Sequence, residues 1–113
     1  MYSFEVRNSE RKNKKLMIRL YKDGNWFKTL HVGDDRYADY IQHYRSGTSF
    51  ADERKRLYLL RHNKEDWNDF MKGGYWAKNL LWNKPTLKAS IMDILDKTDL
   101  VYNKDKLYYE SWY

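Results

Sequence analysis

Residues 72–97 constrain the fold more than any other stretch, because they hold the densest run of large apolar groups in the chain. Gly73-Gly74 breaks whatever precedes it; Tyr75, Trp76, Leu80 and Trp82 follow, and Pro85 falls at the first turn of a last helix. A proline is tolerated there because its missing N–H would have had no partner. Within that helix Leu87, Ile91, Ile94 and Leu95 recur at i, i+4, i+7 and i+8, one apolar stripe at the helical period. The other elements are therefore expected to pack against this segment. Trp76 and Trp82 read as core in a chain with so few aliphatic groups, although paired indoles also make a stacking platform for bases.

Upstream, Tyr2, Phe4 and Val6 alternate with Ser3, Glu5 and Arg7, the pattern of a half-buried strand. Residues 15–32 read as a hairpin turning at Asp23-Gly24, a pair that accepts the positive φ of a tight turn. That turn pairs Tyr21 with Trp26, Leu20 with Phe27, Arg19 with Lys28, Ile18 with Thr29 and Leu16 with His31. Alternation then assigns Leu16, Ile18, Leu20, Phe27, Thr29 and His31 to a core face. Met17, Arg19, Tyr21, Trp26, Lys28 and Leu30 fall on the outer one.

In residues 36–45, Tyr37, Tyr40, Ile41 and Tyr44 match a helical stripe. Ser49, with Asp52 three residues on, resembles the capped start of a helix running to about residue 63. Leu57, Tyr58, Leu59 and Leu60 crowd its apolar side. Residues 64–71 suggest a further helical turn, and residues 100–102 and 107–113 look extended. The last of these either completes the sheet or forms an aromatic docking tail. The expected fold is a single α+β domain over residues 1–113. A small antiparallel sheet of the N-terminal strand plus hairpin (1–33) packs against two to four helices (34–97), and 98–113 is a tail or last strand.

At 113 residues the chain can bury one small core. It has no Cys, which removes disulfides and thiolate chemistry. The first residues lack a signal-peptide pattern and no apolar run approaches a membrane span, so a chain that is neither secreted nor membrane-inserted is expected. Net charge is +6, and it is uneven. Residues 1–64 hold 15 basic and 8 acidic side chains, whereas residues 65–113 hold 7 and 8. A one-sided positive field attracts polyanions.

Three constellations could carry function. The first is the outer hairpin face with Arg19, Lys28, Tyr21 and Trp26, beside Arg7, Arg11, Lys12, Lys14 and Lys15. Cations there would hold phosphates while rings stack on bases. Its bland counterpart is a solvated face on which the Tyr–Trp pair only stabilises the hairpin. The second is the helix row Arg54, Lys55, Arg61 and His62, with Tyr58 in register between the two arginines. Such a row can lie along a phosphate backbone, or its stems can simply cover apolar surface. The third is His31, His43 and His62 with Asp39, a candidate metal or hydrolase centre whose spacing matches no compact ligand motif. No nucleophile or phosphate-loop signature is present, and no cofactor or metal is called for.

Several of these residues also carry a family resemblance. His31-Val32-Gly33 closes the hairpin, Asp39-Tyr40 precedes His43, and Arg54, Tyr58, Arg61 and His62 share a helix that is followed by a Trp. Then comes Trp76…Leu80-Leu81-Trp82-Asn83-Lys84-Pro85-Thr86-Leu87…Ser90-Ile91, the most specific piece. Together they resemble a family of small basic proteins of unknown function from large nucleocytoplasmic DNA viruses, over roughly residues 15–95. The chain departs from the pattern where residues 44–51 stand as an insertion and where Val32 replaces a more usual aromatic. The resemblance implies a viral origin, hence a place in the virion or the host cytoplasm or nucleus, and supplies no established activity.

The leading expectation is a non-enzymatic nucleic-acid-binding protein tied to the virion or genome packaging, with both basic elements on one surface. The alternatives are a small structural protein meeting an acidic viral partner, or a His-based metal-dependent hydrolase.

Overall fold

A computed structural model describes residues 1–103. Three long strands, β1 (Tyr2–Asn8), β2 (Lys14–Lys22) and β3 (Asn25–Asp34), are followed by α1 (Tyr40–Ser46) and α2 (Thr48–Arg61). After a loop come α3 (Gly73–Trp76), a π-helical turn (Ala77–Leu81), α4 (Leu87–Lys97) and a short β4 (Val101–Tyr102). The sheet order is β3-β2-β1-β4. The fold is α+β, as expected. The sheet, however, is mixed: β1, β2 and β3 pair antiparallel, but β4 lies parallel to β1. A strand that returns after a helical crossover can pair in parallel, an option closed to a hairpin. The expected extended segment at 107–113 lies outside the described residues.

The hairpin turns where expected, with Asp23 at φ 52° and Gly24 at φ 84°. Tyr21 pairs with Trp26, but Leu20 then pairs with Lys28, leaving Phe27 as an extra residue. This β-bulge corrects the register read from the sequence. Because side chains alternate with period two, a single inserted residue moves every following one to the other face. Leu30 now lies opposite Ile18 and Val32 opposite Leu16, on the core side. Thr29 and His31 move to the outer side, opposite Arg19 and Met17, and Lys28 leaves the outer face for that of Leu20. The slip exchanges a Thr and a His for a Leu and a Val in the core.

Phe4, Val6, Leu16, Ile18, Leu20 and Val32 cover the inner face of the sheet and meet Ile41, Trp76, Leu80, Leu81, Leu87, Ile91 and Ile94. Trp76 is fully buried, its ring 4.8 Å from that of Phe4, and its Nε1 donates to the Phe70 carbonyl at 2.6 Å. The stretch singled out from sequence is thus the central helical layer. Leu87, Ile91 and Ile94 form the buried stripe, with Leu95 partly covered. Pro85 stands outside the helix, two places before its first residue Leu87. Thr86 is the N-cap, its Oγ1 accepting from the Ala89 N–H at 3.1 Å.

The other helices depart further. Helix α1 begins at Tyr40, because Asp39 and Gln42 form a reciprocal capping box, and Tyr37 stays 66% exposed outside it. Helix α2 starts at Thr48 with no side-chain cap, so the expected Ser49–Asp52 box is not formed. Of its expected apolar side only Tyr58 is buried, and Leu60 is 55% exposed. Residues 64–71 are not helical. The Asp66 and Asp69 carboxylates accept from the Asn68 and Met71 N–H groups instead, local bonds that compete with a helix.

Candidate functional site

Edge strand β3, the loop after it, α2 and the α3–π segment enclose a cleft of about 690 Å³. Its floor is built at Gly33, whose φ of +83° suits glycine. A Cβ there would lie 2.7 Å from Leu81 Cδ1 and 3.2 Å from Lys15 Cβ, so only a bare backbone lets the π segment close onto β3. One wall is α2, which presents Arg54, Tyr58, Arg61 and His62 at i, i+4, i+7 and i+8, a single helical face. Gly73, Gly74, Leu81 and Trp82 also line the cleft.

Rings stack along the α2 wall. Trp82 lies 4.5 Å from Tyr58 with planes 3° apart, and Tyr58 lies 4.3 Å from His62 at 29°. His43 backs Trp82 from 6.3 Å and sits outside the cleft lining, edge-on to Phe50. Tyr58 is only 6% exposed, and burial pushes its hydroxyl up to about 12.

The charges sort into engaged and unengaged groups. Lys15 Nζ donates to Asp39 Oδ2 at 2.8 Å and to Gln42 Oε1 at 2.7 Å. His62 Nδ1 meets the Glu65 carboxylate. Arg36 grips Asp34 at 2.7 Å and holds its carboxyl down at about 2. Among the described residues that leaves Lys14, Arg54 and Arg61 lining the cleft without a carboxylate partner. Arg54 Nε is buried with no hydrogen-bond acceptor.

The structure therefore brings Lys14, Lys15, Arg54, Arg61 and His62 together and separates the other basic residues named from sequence. Arg7, Arg19 and Tyr21 lie on the outer sheet face around buried Glu5. Tyr21 Oη donates to Glu5 Oε1 at 2.6 Å, with Arg7 Nε at 3.2 Å from Oε2 and Arg19 Nε at 3.8 Å from Oε1. Trp26, 54% exposed, shares that side and donates to Thr29 Oγ1 at 2.8 Å. Lys28 has been turned away by the bulge. Arg11 and Lys12 sit exposed on the β1–β2 loop.

Lys55 leaves the row altogether, donating to the Asn83 carbonyl at 2.8 Å over the Tyr40 ring; burial lowers its ammonium pKa. Arg7 and Arg19 are absent from the cleft lining that holds Arg54 and Arg61, and both are drawn to Glu5 instead. Trp82, read from sequence as core or as a stacking platform with Trp76, stacks on Tyr58 instead, while Trp76 is buried in the core. The segments at 31–33, 39, 54–62 and 81–82, distant along the chain, meet in the cleft.

His31 and His62 both line the cleft while His43 does not, and the three form no common ligand set. His31 Nδ1 is 2.7 Å from Ser9 Oγ, His62 pairs with Glu65, and His43 lies behind Trp82. Among the described residues no three His, Cys, Asp or Glu side chains gather as a metal-binding group, and no helix is long and apolar enough to cross a membrane. No protein-family model, curated protein or solved structure matches this chain.

Proposed function

We propose that this chain is a non-enzymatic nucleic-acid-binding protein whose contact surface is the cleft between α2 and the edge of β3. The observation that carries the reading is the coincidence of Lys14, Arg54 and Arg61, unpaired with carboxylates among the described residues, and the Trp82–Tyr58–His62 column. Guanidinium groups hold phosphate oxygens in a fixed fork and rings accept any base, so the pairing suits a sequence-tolerant binder. Its viral origin, and a role in handling or packaging a viral genome, rest on the family resemblance.

Fluorescence anisotropy with single-stranded DNA, RNA and duplex at two salt concentrations tests the proposal. Affinity should fall steeply with salt as counterions are released on binding. R54Q and R61Q should each weaken it about tenfold, the loss of one charge-assisted contact. R19Q, outside the cleft lining, should change it less than about twofold. If heparin or an acidic protein binds as tightly as any nucleic acid, the reading gives way to an acidic protein partner.

A further inference from the structure

We infer that the cleft seats one terminal nucleotide with its phosphate, and does not pass a continuous strand through; the inference deepens the proposed nucleic-acid reading and rests on it. Size is the first reason. A volume of about 690 Å³ falls in the range of small-molecule pockets, roughly 300–1,000 Å³, and suits one nucleotide unit better than a lengthwise groove.

Charge composition is the second. Lys15 bridges Asp39 and Gln42, and Glu65 pairs with His62 and packs so tightly on Gly74 that a Cβ there would come within 2.7 Å of its Oε1. The lining thus carries the carboxylates Asp34, Asp39 and Glu65 beside its cations, so a run of several phosphates meets like charges that a single phosphate can avoid.

The third reason is the order of groups along α2. Arg54 lines the cleft with no carboxylate partner among the described residues, so its guanidinium can take an anionic oxygen there. Two turns on, Arg61 adds a second guanidinium. Beside it His62, its side chain 40% exposed, ends the ring column. Among the described residues no further ring covers its far face. The phosphate is thus assigned to the arginines and the base to the imidazole end.

The test compares one short oligonucleotide in four forms: 5′-phosphorylated, 3′-phosphorylated, hydroxyl-ended and circularised, with a nucleoside monophosphate as competitor. One phosphorylated linear form should bind about tenfold more tightly than the hydroxyl-ended form. The circle should bind most weakly and the monophosphate should compete. R54Q should erase the advantage of the phosphate while R19Q keeps it; R61Q serves the same purpose if circular dichroism shows R54Q misfolded. Equal binding of circle and phosphorylated strand overturns the inference and leaves nucleic-acid binding standing. Binding of the monophosphate alone supports the seat, identifies a free nucleotide as its source and overturns the nucleic-acid reading. If no form binds, both fall.

Discussion

Tyr58 joins fold and site in one side chain. Its ring is sandwiched between Trp82 and His62, while burial keeps the hydroxyl protonated. Since the folded state raises this pKa above the ordinary 10.0 to about 12, the stability it contributes is complete below pH 10 and lost as pH rises through 12. An alkaline titration followed by phenolate absorbance should show a late step near 12 to which Tyr40 also contributes. Tyr58→Phe should remove one phenol from that step and leave the fold intact, because the stacked ring is retained. That Tyr58 sits between two arginines was plain from the spacing. That it pairs face to face with Trp82, 24 positions away along the chain, was not.

At the scale of elements, local chemistry decides boundaries where periodicity gives only candidates. Helix α1 could have begun anywhere after Asp35, yet it begins after Asp39, whose carboxylate caps the Gln42 N–H at 3.1 Å while Gln42 Oε1 accepts the Asp39 N–H at 3.0 Å. Asp39 also holds Lys15, whose side chain is 7% exposed. Asp39→Ala should therefore cost more than an ordinary cap, about 2–4 kcal/mol in urea unfolding, combining the cap with the charge left unpaired on Lys15. Asp39→Asn keeps the cap and loses the charge, so its cost should be clearly smaller. The β3 bulge follows the same logic. Strict alternation would have buried Thr29 and His31, and one extra residue at Phe27 places Leu30 and Val32 there instead. Nothing local marks that bulge; it is fixed by which side chains the rest of the core can use.

For the whole molecule, stability is concentrated where the helical layer meets the sheet. Trp76 contacts Phe4 and anchors the 62–72 loop through the Phe70 carbonyl. Trp76→Ala should cost about 3–5 kcal/mol, a large share of the roughly 5–15 kcal/mol total of a domain this size. Urea unfolding should show an unfolding free energy lowered by that amount, with a correspondingly lower midpoint, or loss of the folded state at physiological temperature. The strands, the Asp23-Gly24 turn, the α4 stripe and the α+β class were legible in the sequence because each depends on neighbours within a few residues. The parallel placement of β4, the bulge and the cleft depend on segments distant in the chain. The sequence by itself determined the apolar stripe of α4, the alternation of β1 and where the hairpin turns, since these are local demands. Only the tertiary structure decided which cations share a surface. A charge costs little wherever it is solvated, so the packing of the apolar groups beneath, and not any preference of its own, carries it to one side or the other.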